Sequence, residues 1–127
     1  MSNPIRLAAG LAAISALALT VAALGTVPSA EAAAKKRCNI RGDERKFGPT
    51  YVSSLKVRRV RCRTGRAVVR AYYHCRIRSG SLRGRCHSKV LRFSCRERRV
   101  GVKGQFDAQV TCTRGRARVW HVYSQFT

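Results

Sequence analysis

Apolar and polar positions divide the chain into two unequal parts. Between Leu7 and Leu24 apolar residues dominate, with only Gly10, Ser15 and Thr20 among them, and Arg6 stands just ahead of the run. Pro28 ends it, and Ala30-Glu31-Ala32 follows with the small-x-small spacing that a signal peptidase reads. Residues 1–32 therefore read as a signal peptide, with Ala32-Ala33-Ala34 as a second cleavage choice. An uncleaved anchor is the alternative, because the run approaches the roughly 20 residues that cross a bilayer. The cleavage pattern directly behind the run favours removal. No twin-arginine pair precedes it, and Lys35-Lys36-Arg37 stand before Cys38 where a lipoprotein signal needs small apolar residues, so general secretion of an unlipidated product is expected.

Beyond this point the pattern changes. Residues 33–50 form a basic N-terminal arm, mostly charge, closed by Gly48-Pro49-Thr50. Residues 51–127 read as one small disulfide-rich domain. Val52, Leu55, Val57 and Val60 alternate loosely with Lys56, Arg58, Arg59 and Arg61, which predicts a half-buried strand ending near Cys62, with a bulge near Arg58-Arg59. From Thr64, the expected N-cap, Ala67, Val68, Ala71, Tyr72 and Cys75 recur at helical spacing, while Arg66, Arg70 and His74 make a second stripe at i, i+4, i+8. This predicts a helix of about three turns with charge on its outer side.

The stretch from Arg76 to Arg85 reads as a loop. Leu91, Phe93 and Cys95 share one face of the next strand, and Val100-Gly101-Val102-Lys103-Gly104 reads as a turn ahead of Phe106, Ala108, Val110 and Cys112. After a second turn at Arg114-Gly115-Arg116, Val119 to Phe126 makes the last strand, with Trp120 and Val122 on one side and His121 and Tyr123 on the other. The expected fold class is α+β: one helix packed on a small, mainly antiparallel sheet, disulfide-stapled.

Charge sets the character of this domain. The chain holds 27 Lys and Arg against 5 Asp and Glu, a net charge of +22. Arg6 and Glu31 leave together with the signal segment, so the processed chain of about 95 residues keeps that charge. A core of this size leaves folding near break-even, and self-repulsion lowers it further. Cys38, Cys62, Cys75, Cys86, Cys95 and Cys112 all follow the cleavage site, and three bridges at about 2 to 4 kcal/mol each offset the deficit. Of the many possible pairings, chain geometry favours Cys75 with Cys86, which flank a flexible stretch containing Ser79-Gly80-Ser81 and Gly84.

Four stretches, Tyr51-Val52-Ser53-Ser54-Leu55-Lys56-Val57, Cys62 to Tyr72, Arg92-Phe93-Ser94-Cys95 and Val110 to Gly115, together resemble a recurrent pattern in small exported cysteine-containing basic proteins of high-GC Gram-positive bacteria. The most distinctive piece is Cys-x-Thr-Gly-Arg-x-Val-Val-x-Ala-Tyr, here Cys62 to Tyr72. The resemblance implies export and a single domain. It implies no functional residues, because that group has no established activity.

Three chemistries compete for the remaining residues. His74-Cys75 and Cys86-His87 suggest zinc, but adjacent helical side chains diverge by about 100° and export favours disulfides over thiolates. A secreted nuclease would use Arg and Lys to hold phosphate and His74, His87, His121 or Glu97, with Asp107 a weaker candidate, to move protons. The favoured expectation is a non-catalytic binder of anionic polymers or surfaces: wall phosphate polymers, anionic lipids at a membrane surface, or extracellular nucleic acid. Arg58, Arg59, Arg61, Arg63, Arg66 and Arg70, with the patch Arg96, Arg98 and Arg99, would serve it, since guanidinium forks pair bidentately with phosphate or carboxylate. A cationic antimicrobial protein shares the charge but needs an exposed apolar surface. No cofactor or metal is expected, and the expected location is extracellular or cell-wall associated.

Overall fold

Period-two alternation and one long helical stripe produce five strands and one helix. The structure, a computed structural model, describes residues 33–127, and the expected signal peptide at residues 1–32 lies outside the described residues. In chain order the elements are β1 (Lys36–Arg37), β2 (Tyr51–Arg58), α1 (Cys62–Gly80), a single 3-10 turn (Ser81–Arg83), β3 (Ser94–Val102), β4 (Gln105–Arg114) and β5 (Ala117–Phe126). The strands form one sheet in the order β1-β2-β5-β4-β3, every pairing antiparallel. This is the α+β class, one helix on an antiparallel sheet.

The core lies between α1 and one face of the sheet. Val52, Leu55 and Val57 of β2, Val119 and Tyr123 of β5, and Ala108, Val110 and Cys112 of β4 are all buried there. Val52 and Leu55 stand three apart yet both face inward. A bulge explains this: Val52 pairs with Tyr123 and Ser54 with Val122, so Ser53 is the extra residue that resets the pleat. The irregularity therefore falls at Ser53 rather than near Arg58-Arg59. Arg59 instead leaves the strand in the left-handed conformation, at φ 57°.

The helix is longer than its apolar pattern predicts. It begins at Cys62, two residues before Thr64, with Arg61 as an extended N-cap that makes no side-chain capping bond. It continues through Gly80, nineteen residues in all, taking in Arg76 to Ser79. Arg76 breaks the apolar period but sits on the buried face with Gly65, Val68, Val69, Tyr72 and Cys75, so the polar residue hid the last turns. Gly65 permits close packing on the sheet, since a Cβ there would stand 2.7 Å from Val57 Cγ1.

Two further differences come from turn chemistry. Val90 and Phe93 exchange backbone hydrogen bonds at 2.9 and 2.8 Å around Leu91 and Arg92, which both have positive φ. A tight turn thus buries Val90 and Phe93, leaves Leu91 outside and delays β3 to Ser94. Val100 to Val102 belong to β3, because the β3–β4 reversal needs only Lys103-Gly104, with Gly104 at φ 94°. The N-terminal arm is also part of the core: Cys38, Ile40 and Phe47 are buried, and the Cys38 N–H donates to the Leu55 carbonyl at 2.9 Å.

Three disulfides join Cys38 to Cys62, Cys75 to Cys86 and Cys95 to Cys112, and no cysteine among the described residues is free. The first ties the arm to the helix start, the second closes the helix onto the following loop, and the third links residues directly opposite on β3 and β4. Pairing of this extent marks an oxidising folding environment. No helix among the described residues is long and apolar enough to cross a membrane.

Removing the middle bridge with the double substitution Cys75→Ser and Cys86→Ser should lower stability by about 3 kcal/mol, given the loop it closes. Urea unfolding of the oxidised protein measures this, and an unchanged midpoint would show that the bridge contributes nothing.

Candidate anion-binding surface

Of the four carboxylates among the described residues, Asp43, Glu97 and Asp107 accept internal hydrogen bonds and Glu44 has no side-chain partner. Glu97 sits on the inner side of β3 with its side chain 3% exposed, and it accepts hydrogen bonds from Tyr72 of α1 at 2.8 Å and Tyr123 of β5 at 2.6 Å. Arg99 Nε donates to its other oxygen, and Arg85 stands 3.7 Å from the same atom. Burial first, and then the Glu97 carboxylate, push both phenols far above their ordinary range. Asp43 accepts from Arg66 at 2.7 Å and Lys46 at 2.9 Å, and these bonds, Arg66 first, hold its carboxyl down at about 2. Asp107 accepts from the Ser124 hydroxyl at 2.5 Å. Ion pairs among the described residues involve only Lys46, Arg66, Arg85 and Arg99.

The remaining cations among the described residues have no carboxylate partner, and many gather on the sheet face opposite α1. Register defines this face. Arg37, Lys56, Trp120, Thr111 and Arg96 form one cross-strand row, Arg58, Arg118, Thr113 and Ser94 a second, and Ser54, Val122, Gln109 and Arg98 a third. Direct neighbours in a row share a face. Six cations thus stand on this face around one half-buried indole, with Asp107 on the same face toward one end. Lys35 lies 4.0 Å above the Trp120 ring, and the Arg58 guanidinium lies 5.8 Å from it.

The predicted anion-binding residues divide by location. Arg58, Arg96 and Arg98 lie on this face. Arg59 and Arg61 are exposed in the β2–α1 connection, and Arg63 and Arg70 are exposed on the helix. Arg66 and Arg99 are engaged elsewhere: Arg66 also donates to the Asn39 carbonyl at 2.5 Å, and Arg99 is held by Glu97 and the carbonyls of Arg83 and Gly84. Sequence reasoning missed Arg37, Lys56 and Arg118. Their contribution depends on the pairing of β1, β2 and β5, which no local spacing displays.

Of the candidate proton-transfer groups, His87 and Glu97 share a cleft, while His74, His121 and Asp107 lie outside its lining. His121 is buried under α1, edge-on to Tyr72 at 5.6 Å and stacked on Tyr123 at 6.0 Å, and neither ring nitrogen has a hydrogen-bond partner. Burial, and then the nearby Arg76 charge, lower its pKa to about 3. It is a neutral ring in the core. His74 is exposed on α1 against Tyr73. His87 lines a cleft of about 610 Å³ with Tyr72, Arg85, Arg96, Glu97 and Arg98. Cys75 and Cys86 are bonded to each other, so the sulfurs of the zinc pattern are not available as thiolates.

Arg76 is the other charged group of the interior. It is fully buried, donates to the Leu82 carbonyl and Gln125 Oε1 at 3.1 Å each, and stacks 4.6 Å from the Tyr123 ring. No family model matches the chain, and no curated protein or solved structure is significantly similar to it.

The state of His121 gives a pH signature. Between pH 6.5 and about 3 the unfolded chain binds a proton at this ring and the folded chain does not, so stability falls as pH falls through that window. The slope limit for one such group is about 1.4 kcal/mol per pH unit. His121→Leu should leave stability at pH 7.5 unchanged or higher and flatten the decline in this window, as read by urea unfolding across pH. The Asp43 contribution, present above 3.8 and lost toward about 2, should persist in the variant. Parallel pH profiles for the two proteins would show that His121 is protonated in the fold.

Proposed function

We propose that the protein is a secreted, non-catalytic binder of anionic polymers or surfaces, such as envelope phosphate polymers or extracellular nucleic acid. The observation that carries this reading is the partition of charge. Glu97 and Asp43 are tied into internal ion pairs and hydrogen bonds, leaving the exposed Asp107 and Glu44 as the other described carboxylates, while six cations share the sheet face opposite α1. A surface so arranged repels itself and gains from polyvalent counter-charge. Cations spread over several cross-strand rows suit an extended chain of phosphates lying across them, and Trp120 supplies an aromatic ring within that field.

Phosphodiester hydrolysis is a second reading, favoured by the cleft that holds His87, Glu97, Arg85, Arg96 and Arg98 together. It is the weaker of the two. Glu97 already accepts from two tyrosines and an arginine, and a carboxylate so saturated has little capacity left to take a proton from water.

Binding to duplex DNA or to a linear polyphosphate should weaken steeply with salt, by about −0.9 in log K per log salt for each phosphate contacted on duplex DNA. Affinity unchanged between about 50 and about 500 mM salt would sink the electrostatic reading. Labelled RNA and DNA should remain intact on incubation with the protein, whereas cleavage abolished by His87→Ala would promote the second reading over the first.

A further inference from the structure

Where β2 ends and β5 begins, Arg58, Arg59, Arg116 and Arg118 line one pocket of about 160 Å³, together with Ala33. Arg58 and Arg118 are direct cross-strand partners, an arrangement that is unfavourable for like charges. No carboxylate lines the pocket, and none of the four arginines takes part in an ion pair among the described residues. Nε of Arg58 is buried with no hydrogen-bond partner. A stable fold that concentrates four guanidinium groups and leaves a buried donor unused lacks a counter-charge at this point.

Two of the four groups, those of Arg58 and Arg118, have contacts that restrain them. Arg118 Nη1 donates to the carbonyls of Gly115 at 2.5 Å and Ala117 at 2.9 Å, and the Arg58 guanidinium lies by the Trp120 ring at 5.8 Å. Arg59 follows in the left-handed conformation, and Arg116 occupies the short β4–β5 turn beside Gly115, itself at φ 54°. Fixed donors bind with a smaller ordering cost than mobile ones. The volume is several times the roughly 30 Å³ of a water and well below the about 300–1,000 Å³ of pockets that enclose a drug-sized molecule. It suits one tetrahedral oxyanion rather than a nucleoside or a sugar ring.

We propose that this pocket is a discrete site for a single phosphate group, either free or carried by a polymer. The polymer-borne case rests on the polyanion-binding reading given above. Guanidinium forks match phosphate oxygens in pairs, so four of them can surround all the oxygens of one group. Removal of residues 1–32 would add the new α-ammonium of Ala33 to the lining. The site would then fix the register of a polymer whose other phosphates lie on the open face.

The test uses the secreted, oxidised protein with inorganic phosphate and linear polyphosphate as probes, followed by calorimetry and thermal unfolding. Arg58→Gln and Arg116→Gln neutralise the pocket, and Arg116 is exposed in a turn, so its variant keeps the fold even where Arg58→Gln does not. Arg78→Gln and Lys103→Gln, exposed and outside the pocket, are the controls. Saturable phosphate binding at one site, weakened tenfold or more by Arg116→Gln and little by the controls, supports the proposal. Polyphosphate affinity reduced more by Arg116→Gln than by the controls extends the site to polymer-borne phosphate. Polyphosphate binding affected equally by all the variants, with no saturable phosphate site, overturns the pocket and leaves the polyanion reading standing. Saturable phosphate binding with no polyphosphate binding overturns the polyanion reading and assigns the pocket to free phosphate.

Discussion

Glu97 is where helix and sheet are joined. Its carboxylate takes one tyrosine hydroxyl from α1, another from β5 and the guanidinium of its own strand neighbour Arg99. A buried carboxylate with fewer donors would destabilise the fold by several kcal/mol. Here the donors come from three different elements, so satisfying the charge and assembling the layers are one event. Tyr123 then presents its ring to Arg76 and His121, and Arg76 reaches Gln125 and the carbonyl of the 3-10 turn. The polar interior is thus a chain of groups running from β3 to the end of α1.

The outer surface follows from that interior. With so few acids in the chain, the ion pairs of Asp43 and Glu97 with Lys46, Arg66, Arg85 and Arg99 leave most of the cations uncompensated. Lys and Arg face water on both layers, and their mutual repulsion acts against a small core of valines, Leu55 and the rings of Phe47, Tyr72, Phe93 and Tyr123. Disulfides at the arm, at the helix end and across the β3–β4 ladder oppose that repulsion at the places where the chain could open. On the sheet face opposite α1, only the start of the basic arm reaches over these charges among the described residues, with Lys35 above Trp120 and Ala33 beside Arg58 and Arg118.

Much of the architecture could be read from the residues. Alternation located β2, β4 and β5, and the sides assigned to Trp120 and His121 agree with the burial of His121 under the helix and the placement of Trp120 outside. The pairing of Cys75 with Cys86 was also legible, although the stretch between them is helical to Gly80 and not the flexible loop its glycines and serines suggest. Arg76 was illegible because a charged side chain at a helical core position breaks the apolar period it belongs to. Glu97 carried a signal that went unused: it lies two residues after Cys95 on the same strand face, so the inward position of one implies the inward position of the other. Composition drew attention to the Arg-rich runs instead, and it assigned Arg99 outward with Arg96 and Arg98. The four-arginine pocket depends on which residue of β2 faces which residue of β5, and register across sixty residues of chain has no local code.

The order of the bridges has a consequence for how the molecule is made. First cysteine joins second, third joins fourth, fifth joins sixth, and no covalent loop encloses or crosses another. For a polypeptide that enters an oxidising compartment amino end first, each link joins two sulfurs that are adjacent in order of arrival. An oxidase that merely connects successive thiols yields the native pattern, without the slow reshuffling that interleaved linkages require.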